Sequence, residues 1–301
     1  MFDGAITAIV TPFQNGKIDE AGLRDFIDFQ IENGIKGIVP CGTTGESPTL
    51  SHKEHERVVE ITIEQVAKRV PVIAGAGSNC TDEAISLTSH AKKAGADAAL
   101  LISPYYNKPT QEGLYRHFEA VAKAVDIPII LYNVPTRTSV NIEPVTIARL
   151  SKIDNIVGVK EAAGSIKQIM DIISLCPDDF DVISGEDFIT FPLLSVGGRG
   201  VISVASNVAP REVSDMCDLF LTGRFEESRK LFYRLLPLLH GLFIETNPGP
   251  VKAALVMTNR IGSEELRLPL VTISKDTRER LTGILQDLGL LSKSAGTRIT
   301  S

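Results

Sequence analysis

The sequence lacks the features that mark secreted, membrane-spanning or nucleic-acid-binding chains. Its four cysteines, Cys41, Cys80, Cys176 and Cys217, are scattered, with no C-x-x-C pair and no metal-ligand spacing. They read as the reduced thiols of a cytosolic protein. No apolar run reaches the ~18 residues a membrane span requires. Asp3 precedes a run of only about six apolar residues, which is not the pattern of a secretory signal. There is no excess of basic charge either: 31 Lys and Arg against 37 Asp and Glu leave a net charge of -6, no footprint for nucleic acid. Neither a G-x-S-x-G elbow nor an H-E-x-x-H pair occurs. A cytoplasmic globule without a metal site is the expectation.

What is present is alternation. Apolar runs open at Ala5, Gly37, Val72, Ala98, Ile129, Ile156, Val182 and Val201, and each has the composition of a strand buried on both faces. Between them lie helical patterns. Leu23, Phe26, Ile27 and Ile31 share one face, as do Leu114, Phe118, Val121 and Val125. Ser51 and Glu54 form a capping-box pattern. Gly34, Gly95 and Gly197 recur just before strands, where glycine stops a helix. Eight strands with intervening helices over about 220 residues predict an α/β fold, a (β/α)8 TIM barrel. An open doubly wound sheet shares the alternation, and the count of eight favours the barrel. After Asn207 the pattern is helical: Pro210 to Leu221, Phe225 to His240, Pro248 to Asn259 and Ser274 to Leu291. The expected division is a barrel over residues 1–223 and a C-terminal helical region over 224–301, with a loose polar tail from Ser292.

In such a barrel the strand ends face one mouth, where the active site is built. Lys160 closes the sixth run, Ile156-Val157-Gly158-Val159-Lys160. A lysine there is explained as well by its ammonium reaching solvent as by chemistry. A desolvated amine loses its proton more readily, and a neutral amine attacks a ketone to form a Schiff base. Around it the same mouth collects Thr43 and Thr44 after the second strand, Tyr106 after the fourth, and Tyr132 and Arg137 after the fifth. A tyrosine hydroxyl passes protons, an arginine forks onto a carboxylate, and Gly185 and Ile202 at the last strand ends let backbone approach a substrate. Taken singly, each is also an ordinary rim residue, a turn hydroxyl or a surface arginine. Together they make a chemically coherent set. Gly75-Ala76-Gly77-Ser78-Asn79-Cys80 is a weak dinucleotide-like glycine pattern. His52, His55 and Glu56 open a helix without a further ligand nearby, and Glu264-Glu265 read as solvated loop charges.

Three motifs, Gly42-Thr43-Thr44-Gly45-Glu46-Ser47, Tyr132-Asn133-Val134-Pro135-Thr136-Arg137-Thr138 and Gly158-Val159-Lys160-Glu161-Ala162, resemble the dihydrodipicolinate synthase family of pyruvate-dependent class I aldolases. N-acetylneuraminate lyase belongs to the same group. The resemblance covers nearly the whole chain. It implies a lyase that condenses pyruvate with L-aspartate 4-semialdehyde in lysine (diaminopimelate) biosynthesis, without metal or organic cofactor, as a homotetramer built from two dimers. It implies that Lys160 forms the Schiff base and that Tyr132 moves the protons. Thr43 would relay them to a Tyr106 from a neighbouring subunit. Thr44 and the Ile202 backbone would hold pyruvate, and Arg137 the carboxylate of the second substrate. Sialic-acid-type lyases resemble the family but lack that arginine. Some members bind L-lysine at a dimer interface, and the matching positions here are Pro48, His52, His55, Asn79, Glu83 and Tyr105. Pro48 replaces a smaller residue of regulated members, and Ser139 replaces a glycine usual in the family.

Overall fold

Eight parallel strands close on themselves in the computed structural model, which describes residues 2–292. They are β1 (Gly4–Ala8), β2 (Gly37–Val39), β3 (Ile73–Gly75), β4 (Ala98–Ile102), β5 (Ile129–Asn133), β6 (Ile156–Glu161), β7 (Asp181–Ser184) and β8 (Gly200–Ser203). Hydrogen bonds join them in the order β2-β1-β8-β7-β6-β5-β4-β3, and a parallel bridge between Ile38 and Val72 links the two ends. The ring is a (β/α)8 barrel. Of the polar tail expected from Ser292 onward, all but Ser292 lies outside the described residues.

The helices around it are α1 (Glu20–Glu32), α2 (His52–Val66), α3 (Thr81–Ala94), α4 (Gln111–Ala124), α5 (Pro135–Thr138), α6 (Pro144–Leu150), α7 (Ile166–Leu175), α8 (Thr190–Ser195) and α9 (Pro210–Leu221). The Ser51–Glu54 capping box forms reciprocally at the start of α2. Gly34, Gly95 and Gly197 all take positive φ, at 90°, 99° and 106°, so a residue with a Cβ would be strained at each helix-to-strand joint. Two small elements complete the described chain. The polar turn after β1 is a small hairpin, Phe13–Gln14 with Lys17–Ile18, because Asn15 and Gly16 both take the positive φ of a tight hairpin turn. The segment after β5 coils into α5, with Pro135 in its first turn.

Inside the ring Ile6, Val39, Ile73, Leu100, Ile130, Tyr132, Ile183 and Ile202 form one apolar cluster. Burying each such side chain stabilises the fold by on the order of 1.5–3 kcal/mol, so the barrel is a packed core and not a pore. A second layer lies between strands and helices, and it continues without a break into α10 (Phe225–Gly241), α11 (Gly249–Met257) and α12 (Lys275–Asp287). Leu235, Leu238, Leu281 and Leu285 share that cluster with Phe26 and Val213.

One irregularity sets up the site. Ile129 pairs with Ile156, but the next pair is Ile130 with Gly158, so Val157 is an extra residue in β6. Because side chains alternate along a strand, this bulge shifts the alternation. Val159 joins the outer layer, and Lys160 comes level with Tyr132 of the inner cluster.

Candidate active site

Lys160 is 6% exposed, and its Nζ lies 4.2 Å from the centroid of the Tyr132 ring. Sheet register does this: Lys160 pairs with Tyr132 on one side and with Ile183 on the other. Tyr132 is fixed in turn by its carbonyl, which accepts from the Ser103 amide and hydroxyl at 3.2 Å each. Gly185 stands directly beside the lysine. A Cβ there would meet Ala162 Cβ at 2.7 Å and Lys160 Cε and Cγ at 3.2 Å each. The absence of a side chain at Gly185 leaves room for Ala162 and for the stem of Lys160. Ile202 is buried in the inner cluster on β8.

The loop after β2 is held differently. Cys41 and Glu46 take positive φ, at 55° and 54°, and turn the chain so that Thr44 is buried and Thr43 lines a cavity. Thr44 Oγ1 accepts a hydrogen bond from Asn247 Nδ2 at 3.0 Å. Glu46 is buried and bound through both oxygens, to Lys252 Nζ at 2.5 Å and to the Arg267 amide at 3.1 Å. Lys252 is fully enclosed, donates also to the Glu265 carbonyl at 2.8 Å, and lies over the Phe13 ring. Burial lowers its pKa from the usual lysine value, against the attraction of Glu46. The Arg267 guanidinium reaches Glu54, whose carboxyl it holds down at about 2. Sequence reading assigned no role to Glu46, Asn247 or Lys252. A lone lysine inside the apolar helix Gly249–Met257 was the available signal.

Arg137 sits on α5, exposed and without a carboxylate partner among the described residues. Thr138 anchors this short helix through bonds from its hydroxyl to the carbonyls of Val134 and Val140. Ser139 ends it at φ 55°, a left-handed conformation in which glycine is unstrained and serine is not. Tyr106 stands apart. It is 87% exposed and does not line the cavity with Tyr132 and Thr43.

That cavity, of about 380 Å³, is lined by Thr43, Tyr132 and Arg137, and also by Pro48, His52, His55, Glu83 and Tyr105. His52 Nε2 lies 2.9 Å from Glu83 Oε1, and Ser78 donates to the same carboxylate. Asn79 Oδ1 accepts from the amides of Tyr105 at 2.7 Å and Tyr106 at 3.0 Å. His55 is buried, with Nδ1 unpartnered among the described residues, and burial lowers its pKa.

The weaker sequence candidates resolve into packing. A Cβ on Gly75 would meet the Cys41 carbonyl oxygen at 2.2 Å, and one on Gly77 the Ile102 amide at 2.4 Å. Close backbone approach accounts for both glycines. Glu264 and Glu265 are not free solvated charges: Glu264 pairs with Arg278 at 2.5 Å, and Glu265 accepts from the Gly16 amide at 2.7 Å. No group of three or more His, Cys, Asp and Glu positioned to hold a metal occurs among the described residues.

Residues 1–288 match the model of the dihydrodipicolinate synthetase family. The chain belongs to that family. A curated 4-hydroxy-tetrahydrodipicolinate synthase of Syntrophobacter fumaroxidans is 68% identical over 291 residues, covering 97% of this chain and all of its own. Among dihydrodipicolinate synthetase family structures, the chloride-inhibited dihydrodipicolinate synthase of Acinetobacter baumannii complexed with pyruvate is 43% identical. Its TM-score is 0.94, over 97% of this chain and 100% of its own. The enzyme of Cyanidioschyzon merolae with lysine bound is 40% identical, with a TM-score of 0.93 over 96% and 99%. The resemblance read from the three motifs therefore holds at the level of family and fold.

Proposed function

We propose that this chain is a 4-hydroxy-tetrahydrodipicolinate synthase, a cytoplasmic lyase that condenses pyruvate with L-aspartate 4-semialdehyde in lysine (diaminopimelate) biosynthesis. Full-length similarity to enzymes of that name supports the reading. The observation that carries the mechanism is the buried Lys160 with its Nζ 4.2 Å from the Tyr132 ring centroid. In this mechanism the Lys160 amine attacks the pyruvate keto carbon, water leaves, and the carbon–nitrogen double bond of an iminium remains. Loss of a proton from the methyl carbon gives an enamine, which attacks the aldehyde carbon of the second substrate. The amino group of that substrate then displaces Lys160 as the ring closes, returning the free amine. Tyr132 is the acid and base for these transfers, passing protons through Thr43 to Tyr106. Thr44 and the Ile202 backbone hold the pyruvate carboxylate. Arg137, exposed at the rim and without a carboxylate partner among the described residues, takes the carboxylate of the semialdehyde in bidentate fashion.

The exposure of Tyr106 favours a relay completed between subunits, in a homotetramer of two dimers. His52, His55, Asn79, Glu83 and Tyr105, with Pro48 at the rim, form a pocket for L-lysine as feedback inhibitor: Glu83 offers a carboxylate to an ammonium, and His55 an unused ring nitrogen. The deciding assay sets pyruvate with aspartate semialdehyde beside N-acetylneuraminate cleavage. The synthase reading requires faster condensation, and faster cleavage of the sugar acid overturns it. For the regulatory pocket, millimolar L-lysine lowers activity and His52→Ala relieves it. Indifference of the native enzyme to lysine removes that part.

A further inference from the structure

The segment that carries Arg137 is closed on itself by one side chain. It leaves β5 directly after Asn133, which is fully buried, and returns to that residue at Asn141 and Ile142. Asn133 Oδ1 accepts from the Ile142 amide at 2.9 Å, and Nδ2 donates to Asn141 Oδ1 at 2.8 Å. The second Nδ2 proton faces Glu161, whose two oxygens lie at 3.0 and 3.2 Å. Both protons and the oxygen of this amide are thereby engaged. Thr138 joins the returning chain to α5, its hydroxyl donating to the Val140 carbonyl at 2.8 Å. Arg137 itself is exposed, so the backbone beneath it decides where the guanidinium stands.

The same network ends on β6, one residue from Lys160. Glu161 is 2% exposed. Besides Asn133, its carboxylate accepts from the Ala163 amide at 2.7 Å and from Gln168 Nε2 at 3.2 Å. Gln168, on α7, exchanges two hydrogen bonds with Asn141. Its Nε2 donates to Asn141 Oδ1 at 3.0 Å, and its Oε1 accepts from Asn141 Nδ2 at 2.9 Å. An ionised carboxylate only accepts, so Glu161 sets which way the Asn133 and Gln168 amides face, and these set Asn141. Donors meet acceptors around the whole ring. A satisfied network of this kind specifies one arrangement of the chain where apolar packing alone would allow several.

We propose that Asn141 is a positioning residue for the second substrate: through Asn133, Gln168 and Glu161 it ties the segment carrying Arg137 to the strand carrying Lys160, and so sets the reach from imine to guanidinium. This rests on the reading of Arg137 as the group that takes the semialdehyde carboxylate. Asn141 touches neither Lys160 nor Tyr132 and belongs to the returning segment alone. Its loss therefore falls on the semialdehyde and spares the pyruvate half-reaction.

The test is steady-state kinetics of the full chain in both substrates, beside borohydride trapping with pyruvate, for Asn141→Ala, Arg137→Ala and the double variant. Asn141→Ala raises the semialdehyde KM about fivefold, while its pyruvate KM and its trapping on Lys160 stay within about twofold of wild type. Arg137→Ala raises the semialdehyde KM about thirtyfold. Because Asn141 acts through Arg137, the double variant matches Arg137→Ala within about twofold. A double variant in which the two losses multiply overturns the proposal, as does a pyruvate KM that rises in step with the semialdehyde KM. If Asn141→Ala does not fold, Gln168→Ala takes its place: a raised semialdehyde KM with normal trapping supports the proposal, and an unchanged KM overturns it. An Arg137→Ala variant with unchanged semialdehyde KM overturns the reading of Arg137 as well. A raised KM in Arg137→Ala with a silent Asn141→Ala overturns this inference alone.

Discussion

The two sides of the barrel mouth are held by different means. On one side Lys160 and Tyr132 sit level on adjacent strands, and sheet register with one bulge places them. On the other, Thr43 and Thr44 lie on a loop that the strands do not position. That loop is clasped from a distance by the C-terminal region, through Asn247 just before α11 to Thr44, and through Lys252 on α11 and Arg267 in the segment after it to Glu46. The strand side is rigid by backbone pairing. The loop side is only as rigid as a few buried polar contacts. A loss on the first side should therefore remove chemistry while leaving the fold, and a loss on the second should weaken the fold and the site together.

The largest expected effect is on the strand side. Lys160→Ala lowers condensation by about a thousandfold or more, since it removes the amine that carries the imine, while its melting temperature stays close to wild type. A steady-state assay beside a thermal melt checks the split. On the loop side, Lys252→Met leaves Glu46 as an uncompensated buried charge and costs about 3–5 kcal/mol of stability in denaturant unfolding. Adding Glu46→Gln recovers part of it, because the amide oxygen still accepts from the Arg267 amide. Equal losses in the single and double variants would show that the pair does not act as a unit. Smaller again, Asn247→Ala removes one hydrogen bond from Thr44 and lowers kcat/KM for pyruvate about tenfold. An unchanged kcat/KM would break the link from the C-terminal region to the site.

The smallest effect returns to the strand side. Burial, with the nearby charge of Glu161, raises the Glu186 carboxyl from 4.5 to about 7. Between those values the folded chain keeps a proton that the unfolded chain has released, so stability falls as pH rises through this window. Glu186→Gln stays neutral throughout. Its melting temperature relative to wild type should climb by about 2–4 °C from pH 4.5 to 7.5. A constant difference across that range would place Glu186 in ordinary solvent.

How much of each side was legible follows from how it is held. Apolar runs separated by amphipathic helices give eight strands, and counting along the chain puts Lys160 and Tyr132 at strand ends and Arg137 in the segment after one. The bulge at Val157 is not written in composition, although it decides which side chains of β6 face inward. The loop side depends on pairs far apart in sequence: Asn247 lies 203 residues from Thr44, and Lys252 lies 206 from Glu46. No local pattern announces such a partner, and the lone lysine in an apolar helix was the one trace it left. The direction of Tyr106 was equally hidden, because its turn is held by Asn79, 27 residues earlier.

The central claim is that Lys160 forms the imine. Incubation with pyruvate and borohydride, followed by peptide mass analysis, tests it most directly. The account predicts one stable adduct of reduced pyruvate on the peptide carrying Lys160, absent from Lys160→Ala. An adduct that persists in Lys160→Ala, or none on the native chain, contradicts it.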